Sequence, residues 1–132
     1  DIWAIVPKET GRACGSIGLH QDSRRPGVPN CRELGYVLGQ VQWGKGYMTE
    51  AAAAVVARLR ADGLPFLTAT HDADNPKSGA VMERIGMTYR YSYAELWQPK
   101  NRLVIFRMSQ MALNGTWPTY RAYWDRWPRH WV

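Results

Sequence analysis

The residues best placed to do chemistry are Gly44, Lys45 and Gly46. They lie between a short apolar stretch, Glu33–Leu38, and a strong helix former, Ala51–Arg60. A strand, a glycine loop and a helix start make an anion site. The first helical N–H groups have no intrahelical partner, and the helix dipole adds partial positive charge there. The same glycines would also suit a tight turn that binds nothing. A third possibility is a nucleotide P-loop, since Gly39-Gln40-Val41-Gln42-Trp43-Gly44-Lys45 fits GxxxxGK. That pattern needs Ser or Thr next, to hold Mg²⁺, and Gly46 stands there instead. Phe66–Asp72 is a poor match for the acidic strand that should follow, and the chain carries too few strand–helix units for that fold.

The elements that must position this loop follow from pattern. Ile2–Pro7 is a short apolar strand closed by Pro7, and Lys8–Arg12 is a turn. Ala13–His20 reads as a second strand weakened by Gly15 and Gly18. Gln21–Arg32, with Pro26, Gly27 and Pro29, reads as an exposed, mobile loop made basic by Arg24, Arg25 and Arg32. Glu33–Leu38 is the third strand. A helix from about Met48 to Asp62 carries Ala51, Ala52, Val55, Val56 and Leu59 on one face, and Gly63 closes it. Phe66–Thr70 is a strand. Asn75 is a good cap for a helix from Pro76 to about Ile85, with Val81, Met82 and Ile85 on one side. Thr88–Leu96 and Leu103–Met108 are the last strands. The order predicts an α/β (α+β) sheet with helices packed on it.

Composition sets further bounds. At 132 residues the chain is one domain with room for a core. Lys plus Arg exceeds Asp plus Glu by 17 − 11 = 6, which favours anionic partners such as phosphates. No Lys/Arg run is long enough for a nucleic-acid arm, so nucleic acid is not expected as a partner. Salt-dependent binding of single strands through the tail tryptophans is kept only as a third reading. No apolar run approaches membrane-spanning length and no secretory pattern is present. Cys14 and Cys31 lack CxxC spacing, and His20, His71 and His130 lack ligand spacing, so no metal is expected. A reducing, cytoplasmic compartment is the default.

A second motif then gives the loop its meaning. Trp43-Gly44-Lys45-Gly46-Tyr47-Met48-Thr49-Glu50-Ala51 resembles the acyl-CoA signature of the GNAT N-acetyltransferase superfamily. About thirty residues on, Asn75-Pro76-Lys77-Ser78 followed by Met82-Glu83-Arg84-Ile85-Gly86-Met87 resembles that family's second signature. The closest branch is the one that includes ribosomal-protein N-terminal (alanine/serine) acetyltransferases. The likeness covers roughly residues 2–110.

The resemblance implies a GNAT-like mixed, mostly antiparallel sheet with a splayed central strand pair, and acetyl-CoA as co-substrate without a metal. Backbone groups at Val37 and Leu38 would bind the pantetheine arm as if it were an added strand. N–H groups across Gly44, Lys45, Gly46, Tyr47, Met48 and Thr49 would hold the pyrophosphate, with Lys45 adding positive potential. Asn75 would bond the pantetheine or fix the loop beside it, unless it serves only as a cap. Trp43 stands where the family's general pattern has Gln or Arg, and Met48 where it has Gly or Ala. Many members carry a Tyr acid at the place of Met82; Ser78 is the alternative proton donor here. Glu33 is the first candidate base, Glu95 the second and His71 the third. A backbone N–H near Leu38 would stabilise the oxyanion.

Residues 1–110 are therefore expected to form an acyl-CoA N-acyltransferase-like domain that is N-terminally incomplete, since the family's opening strand and two helices are missing and the chain starts at Asp1. Residues 111–132 form an aromatic, basic C-terminal tail, with Trp117, Trp124, Trp127 and Trp131, packed on the domain or on a partner. If nothing replaces the missing wall, an exposed apolar face should drive homo-oligomerisation. The expected activity is transfer of acetyl to a primary amine, a small molecule or a protein N-terminus. The alternative is a non-catalytic acyl-CoA-binding remnant or interaction module.

Overall fold

The computed structural model describes residues 2–21 and 32–132. The chain runs β1 (Ile2–Ile5), β2 (Gly15–Gln21), β3 (Arg32–Leu38), α1 (Tyr47–Ala61), β4 (Phe66–Asp72), α2 (Pro76–Arg84), β5 (Thr88–Trp97), β6 (Arg102–Ala112), α3 (Ala122–Arg126) and β7 (His130–Trp131). Of the loop expected over Gln21–Arg32, the two end residues belong to strands, and the rest, with Arg24, Arg25 and Cys31, lies outside the described residues.

The described strands make one sheet in the order β1-β2-β3-β4-β6-β5-β7, and β3–β4 is its parallel pair; the other pairs are antiparallel. The mixed, mostly antiparallel sheet read from the sequence is thus found. Strand alternation divides the side chains between two faces. On one face, Leu34, Leu67, Ala69 and Met111 pack with Met48, Ala52, Val56 and Leu59 of α1 and Met82 of α2. On the other, Phe66, Tyr91, Tyr93 and Met108 pack with Tyr120, Ala122 and Tyr123.

That second core belongs to the segment after β6, where the sequence showed no periodic element. Gln110, 2% exposed, clamps the segment: its amide nitrogen donates to the Pro118 carbonyl at 2.9 Å, and the Tyr120 N–H donates back to its oxygen at 2.8 Å. The Tyr91 hydroxyl donates to the Tyr120 carbonyl at 2.7 Å. Tyr93 stacks on Tyr123 with ring centroids 5.2 Å apart. β7 then pairs with β5 at Ser92 and Tyr93.

One glycine fixes the start of the functional region. A Cβ on Gly15 would collide with the Val37 carbonyl oxygen and lie 3.0 Å from the Leu38 Cα. Both are backbone atoms held in the β2–β3 ladder. Gly15→Ala is therefore expected to cost about 1–3 kcal/mol, read as a fall of several degrees in Tm.

Candidate active site

β3 ends at Leu38, and Gln40–Gln42 makes a single 3₁₀ turn before α1. Gly44 and Gly46 have φ of +79° and +77°, values a side chain would strain. Gly46 is the N-cap of α1 and no side chain caps the helix. The Glu50 N–H makes a 3.0 Å bond to the Gly46 carbonyl. The N–H groups of the preceding turn are the ones helix geometry leaves without an intrahelical partner. Met48 is 5% exposed and packs with the α1 core, so its bulk goes into the interior rather than the loop. Lys45 is exposed, its ammonium donating to Gln42 Oε1 at 3.1 Å. Tyr47 donates to Glu9 Oε1 at 3.1 Å, which ties the start of α1 to the β1–β2 turn.

Beside the loop the sheet opens. β3 and β4 pair only at Arg32–Leu67 and Glu33–Thr68. β3 stays paired with β2 as far as Leu38, and β4 with β6 as far as Asp72. The facing edges of Leu34–Leu38 and Ala69–Asp72 are not joined, and a wedge runs from Glu33 toward the glycine loop. Val37, exposed, and Leu38 lie on its rim. The Leu38 carbonyl accepts the Trp43 indole N–H at 2.8 Å. The Lys77 ammonium sits 4.5 Å from the centre of the same indole, so Trp43 links the end of β3 to the start of α2.

The α2 start differs from the cap read off the sequence. Asn75 occupies the N-cap position but its side chain makes no cap hydrogen bond, because its φ and ψ of −116° and 74° lie off the usual capping geometry. Its N–H bonds the Asp72 carbonyl at 2.8 Å, and Asp72 Oδ1 holds the Asp74 N–H at 2.9 Å. Ser78 faces β3. Its hydroxyl donates to the Tyr36 hydroxyl at 3.2 Å, and that hydroxyl donates to the Ser78 carbonyl at 2.6 Å. Burial raises the Tyr36 phenol above its ordinary value, with the Ser78 bond pulling weakly the other way, so it keeps its proton at neutral pH. Met82 is 2% exposed, in the core, and offers no proton. Sequence reasoning missed Tyr36, although strand alternation from Leu34 turns it toward the helices.

On the opposite face, Glu33 and Glu95 line one cavity of about 240 Å³ with Thr70 and Tyr93. Phe106 of β6, and Tyr123, Arg126 and Trp127 of the C-terminal segment, complete its walls. Thr70 donates to Glu33 Oε1 at 3.2 Å and is hydrogen-bonded to Tyr93. Burial first, then the charges of Glu33 and Glu95, push the Tyr93 phenol far above its ordinary value. Two of the three candidate bases thus share a cavity at the closed end of the wedge. They are neighbours because β6 and β5 follow β4 in the sheet, a non-sequential order that the sequence does not display.

His71, the third, is on the α2 face. A Cβ on Gly79 would fall 2.6 Å from its Nε2. Burial, and then the Arg107 charge, lower its pKa from the ordinary 6.5, against a smaller pull from Asp72. The unfolded chain then binds the proton more readily, so stability from the neutral ring is present above about pH 6.5 and is lost as pH falls. Between about pH 7 and about pH 5, Tm should fall more steeply for the native chain than for His71→Gln. Parallel slopes would show that the ring does not control the acid limb.

Among the described residues, no three His, Cys, Asp or Glu side chains gather as a metal site, and no helix is long and apolar enough to cross a membrane. A family model described as an acetyltransferase (GNAT) domain matches residues 1–88. The uncharacterized protein YkkB of Bacillus subtilis (strain 168) is 32% identical over 90 residues, which are 67% of this chain and 51% of that one. The chain therefore spans about half the length of that curated relative. An acetyltransferase (GNAT family) from Bacillus anthracis superposes with a TM-score of 0.74 at 22% identity, over 85% of this chain and 66% of the other. Ribosomal-protein-S5-alanine acetyltransferase from Vibrio fischeri gives 0.74 at 19% identity over 89% and 63%. YncA from Salmonella typhimurium, solved with its cofactor acetyl-CoA, gives 0.71 at 16% identity over 80% and 61%.

Proposed function

The chain belongs to the GNAT acetyltransferase domain family, and from that premise we propose that it is an acetyl-CoA-dependent N-acetyltransferase acting directly on a primary amine. One observation carries this reading: the β3–β4 wedge opens onto the uncapped α1 start, with Gly44 and Gly46 at its mouth. A flexible amide-bearing arm fits the wedge as an added strand, along the edge of β3 at Val37 and Leu38 that faces β4 and that β4 leaves unpaired. Its phosphates meet the N–H groups of Gly44 through Thr49. Lys45 contributes potential there, and Asn75, with no capping duty, is available to the arm.

The chemistry then needs little from the chain. Glu33, at the closed end of the wedge, takes a proton from the acceptor ammonium through a chain of water molecules running along the wedge. The free amine attacks the thioester carbonyl carbon; a C–N bond forms and the C–S bond breaks. Backbone N–H groups of β3 near Leu38 stabilise the charge on the oxygen. The departing sulfur is protonated by the Ser78–Tyr36 pair, which recovers its proton from the new amide nitrogen. Ammonium and thioester give amide, free thiol and one proton released to solvent.

Incubation with acetyl-CoA and an amine panel, following free thiol, tests the activity. Thiol release that depends on an amine supports it. Acetyl-CoA binding without release from any amine would favour the second reading, a binding remnant, which the buried Met82 in place of a Tyr acid motivates. The proposal extends to a cytoplasmic homo-oligomer joined at β1, where Ile2, Trp3 and Val6 are exposed. A monomer mass by light scattering at every concentration would contradict that part.

A further inference from the structure

We infer that Trp43 is a latch on the acyl-CoA wedge: its indole holds the place that the amide-bearing arm must take, and acyl-CoA binds by displacing it. This rests on the acyl-CoA reading of the wedge above. Three observations argue for it: the direction of a carbonyl, the span of the ring, and how lightly the ring is held.

The first concerns Leu38. The Gly39 N–H bonds the Cys14 carbonyl at 2.8 Å, so Gly39 turns toward the β2 side. Backbone direction alternates along an antiparallel strand, so Leu38 turns its N–H and C=O into the wedge. It is the last residue of β3, and an arm laid along that edge would pair with it there. Its carbonyl already accepts the Trp43 indole N–H at 2.8 Å. That bond is the one an amide N–H of the arm would make.

The second concerns the span of the ring. Its N–H lies on Leu38, and the Lys77 ammonium sits 4.5 Å from its centre. Lys77 belongs to the first turn of α2, the helix that follows β4. The indole therefore reaches from the end of β3 to the β4 side, across the route from the wedge to the glycine loop. A carbonyl has a second lone pair, but the body of the ring still stands in the path of the arm.

The third concerns what holds it. Trp43 is 46% exposed and belongs to neither core cluster. Gly44, next in the chain, has open space where a Cβ would lie. Swinging the ring out breaks one neutral hydrogen bond and one exposed cation–π contact, and uncovers no core. Acyl-CoA replaces both: an N–H of the arm takes the Leu38 carbonyl, and the freed Lys77 ammonium meets a phosphate. The latch thus lowers the affinity of every wedge ligand by the same factor, and only a phosphate-bearing thioester regains a partner for the lysine.

The test measures Kd by isothermal titration for acetyl-CoA and for S-acetylpantetheine, which carries the arm and thioester without phosphates. Trp43→Phe keeps a ring but no N–H, and should tighten both ligands about fivefold. Trp43→Ala should tighten both about tenfold, by the same factor for each. Lys77→Met should bring the two Kd values closer together by about threefold, since only acetyl-CoA loses a contact. Tryptophan emission follows the displacement itself. Acetyl-CoA should change it in the native chain, and that change should be largely absent in Trp43→Phe. Weaker or unchanged acetyl-CoA binding in both Trp43 variants overturns the latch and leaves the acyl-CoA reading intact. An emission change of equal size in the native chain and in Trp43→Phe does the same. No acetyl-CoA binding by the native chain or by either Trp43 variant removes the premise, and the latch with it.

Discussion

Gly46→Asp is expected to abolish acetyl-CoA binding while leaving the fold in place. Gly46 is the uncapped N-cap of α1, with φ of +77° and open space where a Cβ would go. Asp is among the few residues that accept this backbone region, at a cost of about 1 kcal/mol. Its carboxylate would occupy the place where the phosphates must sit. Two like charges about 4 Å apart repel by roughly 1 kcal/mol in water and about 4 kcal/mol in partly desolvated surroundings. That corresponds to a loss of roughly fivefold to a thousandfold in Kd. Gly46→Ala separates strain from charge: it carries the backbone cost without the carboxylate, and should weaken binding far less. Equal losses for the two variants would assign the effect to backbone conformation. An unaltered acetyl-CoA thermal shift in Gly46→Asp would show that the loop has another role.

Glu33→Gln is expected to lower kcat by about 10²- to 10⁴-fold, the usual size of a lost general base. Acetyl-CoA binding should be unchanged, because Glu33 sits at the closed end of the wedge and the phosphate loop at its mouth. The two ends are about 16 Å apart by the rise of five strand residues. Thr70 positions that carboxylate through its 3.2 Å bond to Oε1. Thr70→Val should therefore cost about 1 kcal/mol in kcat/KM, roughly fivefold, and Thr70→Ser should restore most of it. A merely structural Thr70 would be rescued better by the isosteric Val than by Ser. Full activity in Glu33→Gln would move the base to Glu95, the other carboxylate of the cavity.

The half of the molecule around the glycine loop was legible because its signals are local. Gly44 and Gly46 mark positive φ, the Ala-rich stretch marks α1, and Pro76 marks the start of α2. The Asn75 signal gave the N-cap position of α2 but not a side-chain cap, since Asp72 organises that turn. The Glu33–Glu95 side was not legible, since its geometry is made of long-range pairings. Glu33 and Glu95 are 62 positions apart and meet only through the strand order β4-β6-β5. The five-residue α3 and the two-residue β7 have no periodicity of their own. They exist because Gln110 and a stack of aromatic rings hold them to the sheet. Ser78 was singled out as a proton donor, but its Tyr36 partner lies 42 residues away, across the wedge.

The central claim is that the β3–β4 wedge and the glycine loop bind acetyl-CoA, and a thermal-shift titration with acetyl-CoA tests it most directly. A ligand that binds only the folded chain raises Tm with concentration, by about 2.7 kcal/mol of stabilisation at a hundred times Kd. The expected result is a dose-dependent rise in Tm that Gly46→Asp removes. No rise at millimolar acetyl-CoA in the native chain would contradict the claim, and with it both the transferase and the remnant readings.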